Sequence, residues 1–121
     1  MSRKFKYFTQ RDFSNATPPC SINDMCIKLL CMIDNAREIS GIPYRVLSAK
    51  RTHEHEISRG RDGTSSHVKG VAIDIEARTP RDKFLVLKGV IGAGFTRVFV
   101  YDWGVHVDID EEKVQEWYLN F

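Results

Sequence analysis

Two histidines and one aspartate hold the chemistry that this residue order makes available: His67, Asp74 and His106. Asp74 stands between Ile73 and Ile75 in an apolar stretch. A carboxylate bracketed by β-branched apolar neighbours is costly to bury alone, so it needs a partner. A metal ion is one such partner, and an arginine such as Arg51 or Arg97 is another. Extended chain from His67 to Asp74 would span roughly 23 Å, whereas metal-ligating atoms sit only about 2 Å from a shared ion. The chain must therefore bend between them, and Gly70 is the residue that permits it. Ala72 shares the face of Asp74 and is small enough to leave space beside it. The third donor should come from another strand, and His106 in Gly104-Val105-His106-Val107-Asp108 is the best candidate. Alternation puts His106 and Asp108 on one face, so Asp108 is placed to orient the histidine or to accept a bond from bound water. Two imidazoles and one carboxylate suit zinc and leave a position open for water. Spacing alone also admits a plainer reading, with a packed strand histidine and an aspartate paired to arginine.

These residues need elements to position them. Ile22, Met25, Cys26, Leu29, Ile33 and Ala36 recur at helical spacing, with Ser21 and Asn23 as candidate caps and Gly41 and Pro43 as stops. A first helix is expected over 22–40. A short strand is expected over 44–49. Residues 50–66 are rich in Arg, His, Glu, Gly and Ser and read as a long functional loop. A strand follows over 71–77, with Val71, Ile73 and Ile75 on one face and Ala72, Asp74 and Glu76 on the other. Thr79 caps a second helix with Pro80 at its first position, ending near Gly92-Ala93-Gly94. Two strands over 95–101 and 105–109 flank a turn at Asp102-Trp103-Gly104. Asp110 is expected to cap a final helix containing Val114, Trp117 and Tyr118. The order is that of an α+β fold with a small antiparallel sheet and flanking helices, in one domain over 1–121 with a leading segment over 1–19.

Composition narrows the function classes. The 121 residues are 42% hydrophobic, enough for one core and against global disorder. The net charge of +2 is too mild to argue for nucleic acid as a partner. A basic stretch with Arg3, Lys4, Lys6 and Arg11 keeps a nucleic-acid arm as a third reading beside a solvated N-terminal strand. No apolar run approaches the about 20 residues of a membrane span. No apolar h-region follows the N-terminal basic residues, so cytoplasmic synthesis without a signal peptide is expected. Cys20, Cys26 and Cys31 match no common zinc spacing, and an odd count without an export signal argues for reduced thiols. Cys26 and Cys31 fall in the helical pattern and read as core packing. His53 and His55 flank Glu54 on a polar stretch and read as solvated or rim groups. Trp103 is read equally as a stacking group at the site mouth or as packing on the sheet. The acids at Asp108, Asp110, Glu111 and Glu112 complement a helix start better than they suggest calcium.

A family resemblance now adds to this reading. Ser65-Ser66-His67-Val68-Lys69-Gly70-Val71-Ala72-Ile73-Asp74 matches the S-x-H-x-x-G-x-A-x-D signature of M15 metallopeptidases. Ser48-Ala49-Lys50-Arg51-Thr52 resembles the S-G-Y-R-T stretch that precedes the signature, with Lys for the usual aromatic and without the Asn that follows. His106-Val107-Asp108 resembles the H-V-D that closes the family's zinc site. Weaker likeness from Tyr7-Phe8-Thr9 to Gly41-Ile42-Pro43 extends the resemblance over most of the chain. The small size resembles the M15-like peptidases encoded by phages.

The resemblance implies a hedgehog/D-Ala-D-Ala peptidase-like fold with Zn2+ on His67, Asp74 and His106. It implies hydrolysis of peptidoglycan stem peptides at the cell wall of a phage-infected bacterium, by a carboxypeptidase or endopeptidase route. It assigns Arg51 to substrate binding or oxyanion stabilisation, and a guanidinium does offer fixed donors for either. It places Ser65 near the substrate. The base is where the pattern departs. Many members have Asp or Glu three positions before the last histidine, where this chain has Trp103. Asp102 and Asp108 are the candidates for taking the water proton, with Asp102 favoured. The same departure keeps open a second class, a zinc-binding module of this fold without catalysis. Residue order does not choose the bond cleaved or the oligomeric state.

Overall fold

The computed structural model describes residues 5–61 and 63–119. Arg3 and Lys4 of the basic leading stretch lie outside the described residues. The architecture is α+β, with a five-stranded sheet in the order β1-β2-β4-β3-β5 and the two long helices packed on one face. The strands are β1 (Val46–Ser48), β2 (Ala72–Glu76), β3 (Arg97–Tyr101), β4 (Gly104–Asp108) and β5 (Trp117–Leu119). The helices are α1 (Gln10–Ser14), α2 (Ile27–Ser40), α3 (His53–Ser58) and α4 (Pro80–Gly92).

Apolar alternation builds the packed face. Ile73 and Ile75 of β2, Val105 and Val107 of β4, and Val98 and Val100 of β3 point to one side. They bury against Leu29, Leu30, Ile33 and Ala36 of α2 and Val86 and Val90 of α4. The helical spacing read over 22–40 is therefore the face that meets the sheet, although the α-helix begins at Ile27 after a 3-10 turn at Ile22–Asp24. Gly41 ends α2 in the left-handed conformation at φ 74°. Thr79 caps α4 through its side chain, which accepts from the Asp82 N–H, and Pro80 opens the helix.

Four expectations are corrected. The described part of the leading segment holds a short helix, α1, rather than a strand. The polar stretch 50–66 is not a continuous loop: Thr52 accepts from the His55 N–H and starts α3. The final helix is absent from the described residues. Asp110 instead closes a turn, and residues 117–119 form β5, which pairs in parallel with β3 and makes the sheet mixed rather than antiparallel. Trp117 and Tyr118 are exposed on that edge strand. Finally, Cys31 is exposed on α2 and is no core residue, while Cys26 is half-buried against the core.

Sheet register places the other face. Ser48, Asp74, His106, Phe99 and Tyr118 form one row across all five strands. The bulge in β1 is what admits Ser48 to that row. Val46 sits opposite Ile75 while Ser48 sits opposite Asp74, so one extra residue turns the strand from core to open face.

Candidate metal centre

Asp74 and His106 are direct partners in the β2–β4 ladder, so neighbouring strands hold them side by side. His67 arrives by a different route. The segment 65–70 folds as successive turns, with the Val68 N–H donating to Ser65 O, Lys69 to Ser66 O and Gly70 to His67 O. Gly70 has φ 72°, and a Cβ there would lie 2.5 Å from the Asp24 carbonyl oxygen. The Gly70 carbonyl accepts from the Cys26 N–H at 2.9 Å, which ties the bend to the start of α2. The bend brings His67 Nε2 within 3.3 Å of Asp74 Oδ1, while His106 Nδ1 lies 2.8 Å from the same oxygen.

The donor atoms of His67, Asp74 and His106 all fall within 4.8 Å of one another, and the group can hold a metal ion. Donors about 2.0–2.1 Å from a tetrahedral ion lie about 3.3 Å apart. The His67–Asp74 separation already meets that spacing, and the His106 ring must withdraw by about half an ångström to match it. Two imidazoles and a carboxylate are the donors of catalytic zinc and of non-haem iron sites.

Each ring is fixed from behind. His67 Nδ1 donates to the Ala49 carbonyl at 2.6 Å, and a carbonyl can only accept, so Nε2 keeps its lone pair for the site. His106 Nε2 donates to Asp108 Oδ2 at 2.7 Å, which leaves Nδ1 facing Asp74. Metal-ligating imidazoles characteristically have such oxygen partners behind them.

Electrostatics follow from this crowding. Burial pushes the His106 pKa down, but hydrogen bonds to Asp108 and Asp74 outweigh it and raise the value to about 8. Burial alone would raise Asp74, yet the hydrogen bond from His106 and the adjacent His67 hold its carboxyl well below the usual range. Asp108 is lowered too, with burial opposed by His106, the Asp110 N–H and Arg97.

The centre opens into a cleft of about 360 Å³ lined by Arg51, His67, Asp74, Arg97, Phe99, Tyr101, Trp103 and His106. Arg51 reaches Asp74 Oδ2 at 3.5 Å and donates from Nε to Ser48 Oγ at 3.0 Å. Trp103 stacks on Tyr101 with ring centroids 5.3 Å apart, so it flanks the mouth and packs on the sheet at once. Burial and the negative charge of Asp74 push the Tyr101 phenol up.

The remaining expected site residues are placed differently. Ser65 Oγ accepts from the His67 backbone N–H at 3.2 Å and so supports the ligand loop. Asp108 is 1% exposed, and its Oδ1 accepts from Arg97 Nε at 2.7 Å and from the Asp110 N–H at 3.1 Å. Both its oxygens are engaged, the arrangement of a carboxylate that orients a ligand. Asp102 is exposed on the β3–β4 turn and is not among the residues lining the cleft. His53 is exposed and His55 half-buried, both on α3. Arg97 pairs with Asp108 and not with Asp74.

Sequence reasoning missed Phe99 and Tyr101 as lining residues, Ser48 as the Arg51 acceptor, and Glu56. Alternation along β3 does group Arg97, Phe99 and Tyr101, but only the register beside His106 says that this face is the site. The sequence matches no protein-family model and no curated protein.

Proposed function

We propose that this chain is a zinc-dependent peptidase of M15 type, with a hedgehog/D-Ala-D-Ala peptidase-like fold, acting on stem peptides of bacterial peptidoglycan. One observation carries the reading. The three residues that the M15-like motifs single out, His67, Asp74 and His106, converge with their free donor atoms together and both rings anchored from behind. A zinc ion held there supplies Lewis acidity and lowers the pKa of a bound water.

The chain's own groups do the rest. Asp108 holds the Nε2–H of His106 and keeps Nδ1 directed at the centre. Arg51 offers guanidinium donors to a substrate carboxylate or to the oxygen that becomes anionic as the carbonyl is attacked. Phe99, Tyr101 and Trp103 form the cleft's aromatic wall and shield it from bulk water on that side. Both Asp108 oxygens are already engaged and Asp102 is exposed outside the cleft lining, so Asp102 would take the water proton only if the turn between Tyr101 and Trp103 folded over the centre.

Purified protein reconstituted with zinc should bind one equivalent and release peptide fragments from purified peptidoglycan, identified by mass spectrometry. A chelator and His67→Ala should each abolish release. Activity that survives both would sink the reading. The product masses would also separate a carboxypeptidase from an endopeptidase.

A second reading is a zinc-binding module without catalysis. It is favoured by one feature: the exposed Asp102 and the fully engaged Asp108 leave the cleft without a carboxylate already aimed at it. Stoichiometric zinc with no cleavage of any stem peptide would select it.

A further inference from the structure

Glu56 is a buried charge for which the metal centre has no direct use. It sits on α3 at 0% exposure, although Glu54, Ile57 and Ser58 around it are exposed. Its Oε2 lies 2.9 Å from Arg61 Nη1 and 3.7 Å from Arg51 Nη1. Its Oε1 has no hydrogen-bond partner among the described residues. A fully buried carboxylate with one oxygen unpartnered is costly, and a neutral apolar side chain of similar size would relieve that cost. The position of Glu56 is also fixed by local structure. Thr52 caps the helix, and the Glu56 N–H donates to Thr52 O, which turns the side chain inward one turn after Arg51.

What Glu56 faces is Arg51. That guanidinium is gripped on three sides: Ser48 Oγ at Nε, Asp74 Oδ2 at Nη2 and Glu56 Oε2 beyond Nη1. The backbone N–H of Arg51 also donates to His67 O, so the residue is part of the same framework as the ligand loop. Burial pushes the Arg51 pKa down, while Asp74 and Glu56 push it back up. Without Glu56, the only carboxylate left to Arg51 among the described residues is Asp74, the metal ligand. A guanidinium drawn fully onto Asp74 would compete with a cation for that carboxylate and would leave a positive charge uncompensated beside it.

We propose that Glu56 is a positioning residue that holds Arg51 between itself and Asp74, so that Asp74 stays available to a metal ion and Arg51 still faces the cleft. The inference rests on the metal centre described above but not on peptide hydrolysis.

The test is zinc affinity, measured by competition with a chromophoric chelator, in four full-length proteins: wild type, Glu56→Gln, Arg51→Ala and the double variant. Glu56→Gln should weaken zinc binding about 10-fold with an unchanged far-UV spectrum. Adding Glu56→Gln to Arg51→Ala should change affinity by less than about 2-fold, because the residue acts through Arg51. Arg51→Ala alone should tighten zinc binding, since it removes a cation beside Asp74 and leaves Glu56 in place. That arm holds even if Glu56→Gln folds poorly. Equal losses from Glu56→Gln in both backgrounds, no loss in either, or weaker zinc binding by Arg51→Ala would overturn the proposal. A wild type that binds no zinc would overturn the metal centre along with it. Zinc binding without turnover would remove only the peptidase reading.

Discussion

His106 Nε2 lies 2.7 Å from Asp108 Oδ2, two residues along the same strand, and Asp108 is in turn clamped by Arg97 Nε at 2.7 Å. A carboxylate that accepts from a ligating imidazole fixes the ring's tautomer and raises its basicity. Asp108→Asn keeps the shape but removes the charge, and its amide nitrogen can face the ring where an acceptor is needed. Metal affinity should drop by about 10- to 100-fold, with the fold retained, as read by metal titration beside circular dichroism. Unchanged affinity would show that His106 needs no such partner.

The pH dependence of the metal-stripped protein follows from the same cluster. His106 has its pKa raised from 6.5 to about 8. The folded value exceeds the unfolded one, so its contribution is complete below pH 6.5 and lost as pH rises through 8. Asp74 and Asp108 are lowered from 3.8, so their contribution is present above that value and lost as pH falls below it. With chelator present, the melting temperature should peak between about pH 5 and 6.5 and fall toward pH 9. Metal must displace the His106 Nδ1 proton, so affinity should rise with pH up to about 8 and then level. A chelated protein equally stable at pH 6 and pH 9 would contradict this.

Gly70→Ala tests the bend that delivers His67. The residue has φ 72°, and the new Cβ would stand 2.5 Å from the Asp24 carbonyl oxygen. Strain in the left-handed region plus that contact should cost about 2 kcal/mol or more in denaturant unfolding. Metal affinity should weaken as well, because relief of the contact moves the loop that carries His67. A loss below about 0.5 kcal/mol would mean that the loop adapts freely.

Ile73→Ala tests the opposite face. Ile73 is 0% exposed and lies one position from Asp74, pointing into the helices. Deleting its methyl groups leaves a cavity under β2 and should cost about 2–5 kcal/mol by chemical denaturation. The ligands sit across the sheet from the cavity, so the surviving folded fraction should still bind metal. A stability loss under about 1 kcal/mol would show that the helices collapse into the space.

The sequence by itself determined the three candidate donors and the strands that carry Asp74 and His106. Alternation around Asp74 and His106 put both on faces opposite apolar residues, and the structure keeps them there because a one-residue slip would expose Ile73, Ile75, Val105 and Val107. Gly70 was legible as the bend for a local reason: the conformation it adopts strains residues with a Cβ. The two long helices were legible from their apolar period and their stops, although the first begins at Ile27 rather than at 22. What only the tertiary structure decided depends on contacts between residues distant in the chain. The stretch 110–119 carries a helix-like start, yet pairing with the edge of β3 wins and makes β5, because backbone ladder bonds outweigh weak local propensity. Within the polar 50–66 stretch, His53–Ser58 folds as a helix with Glu56 drawn inward toward Arg51 and Arg61, which hydropathy alone scores as three solvated charges. Arg97 rather than solvent engages Asp108 because the β3–β4 register sets them opposite each other. Local spacing names which residues share a face; the pairing of strands decides which faces meet, and so which charges become partners.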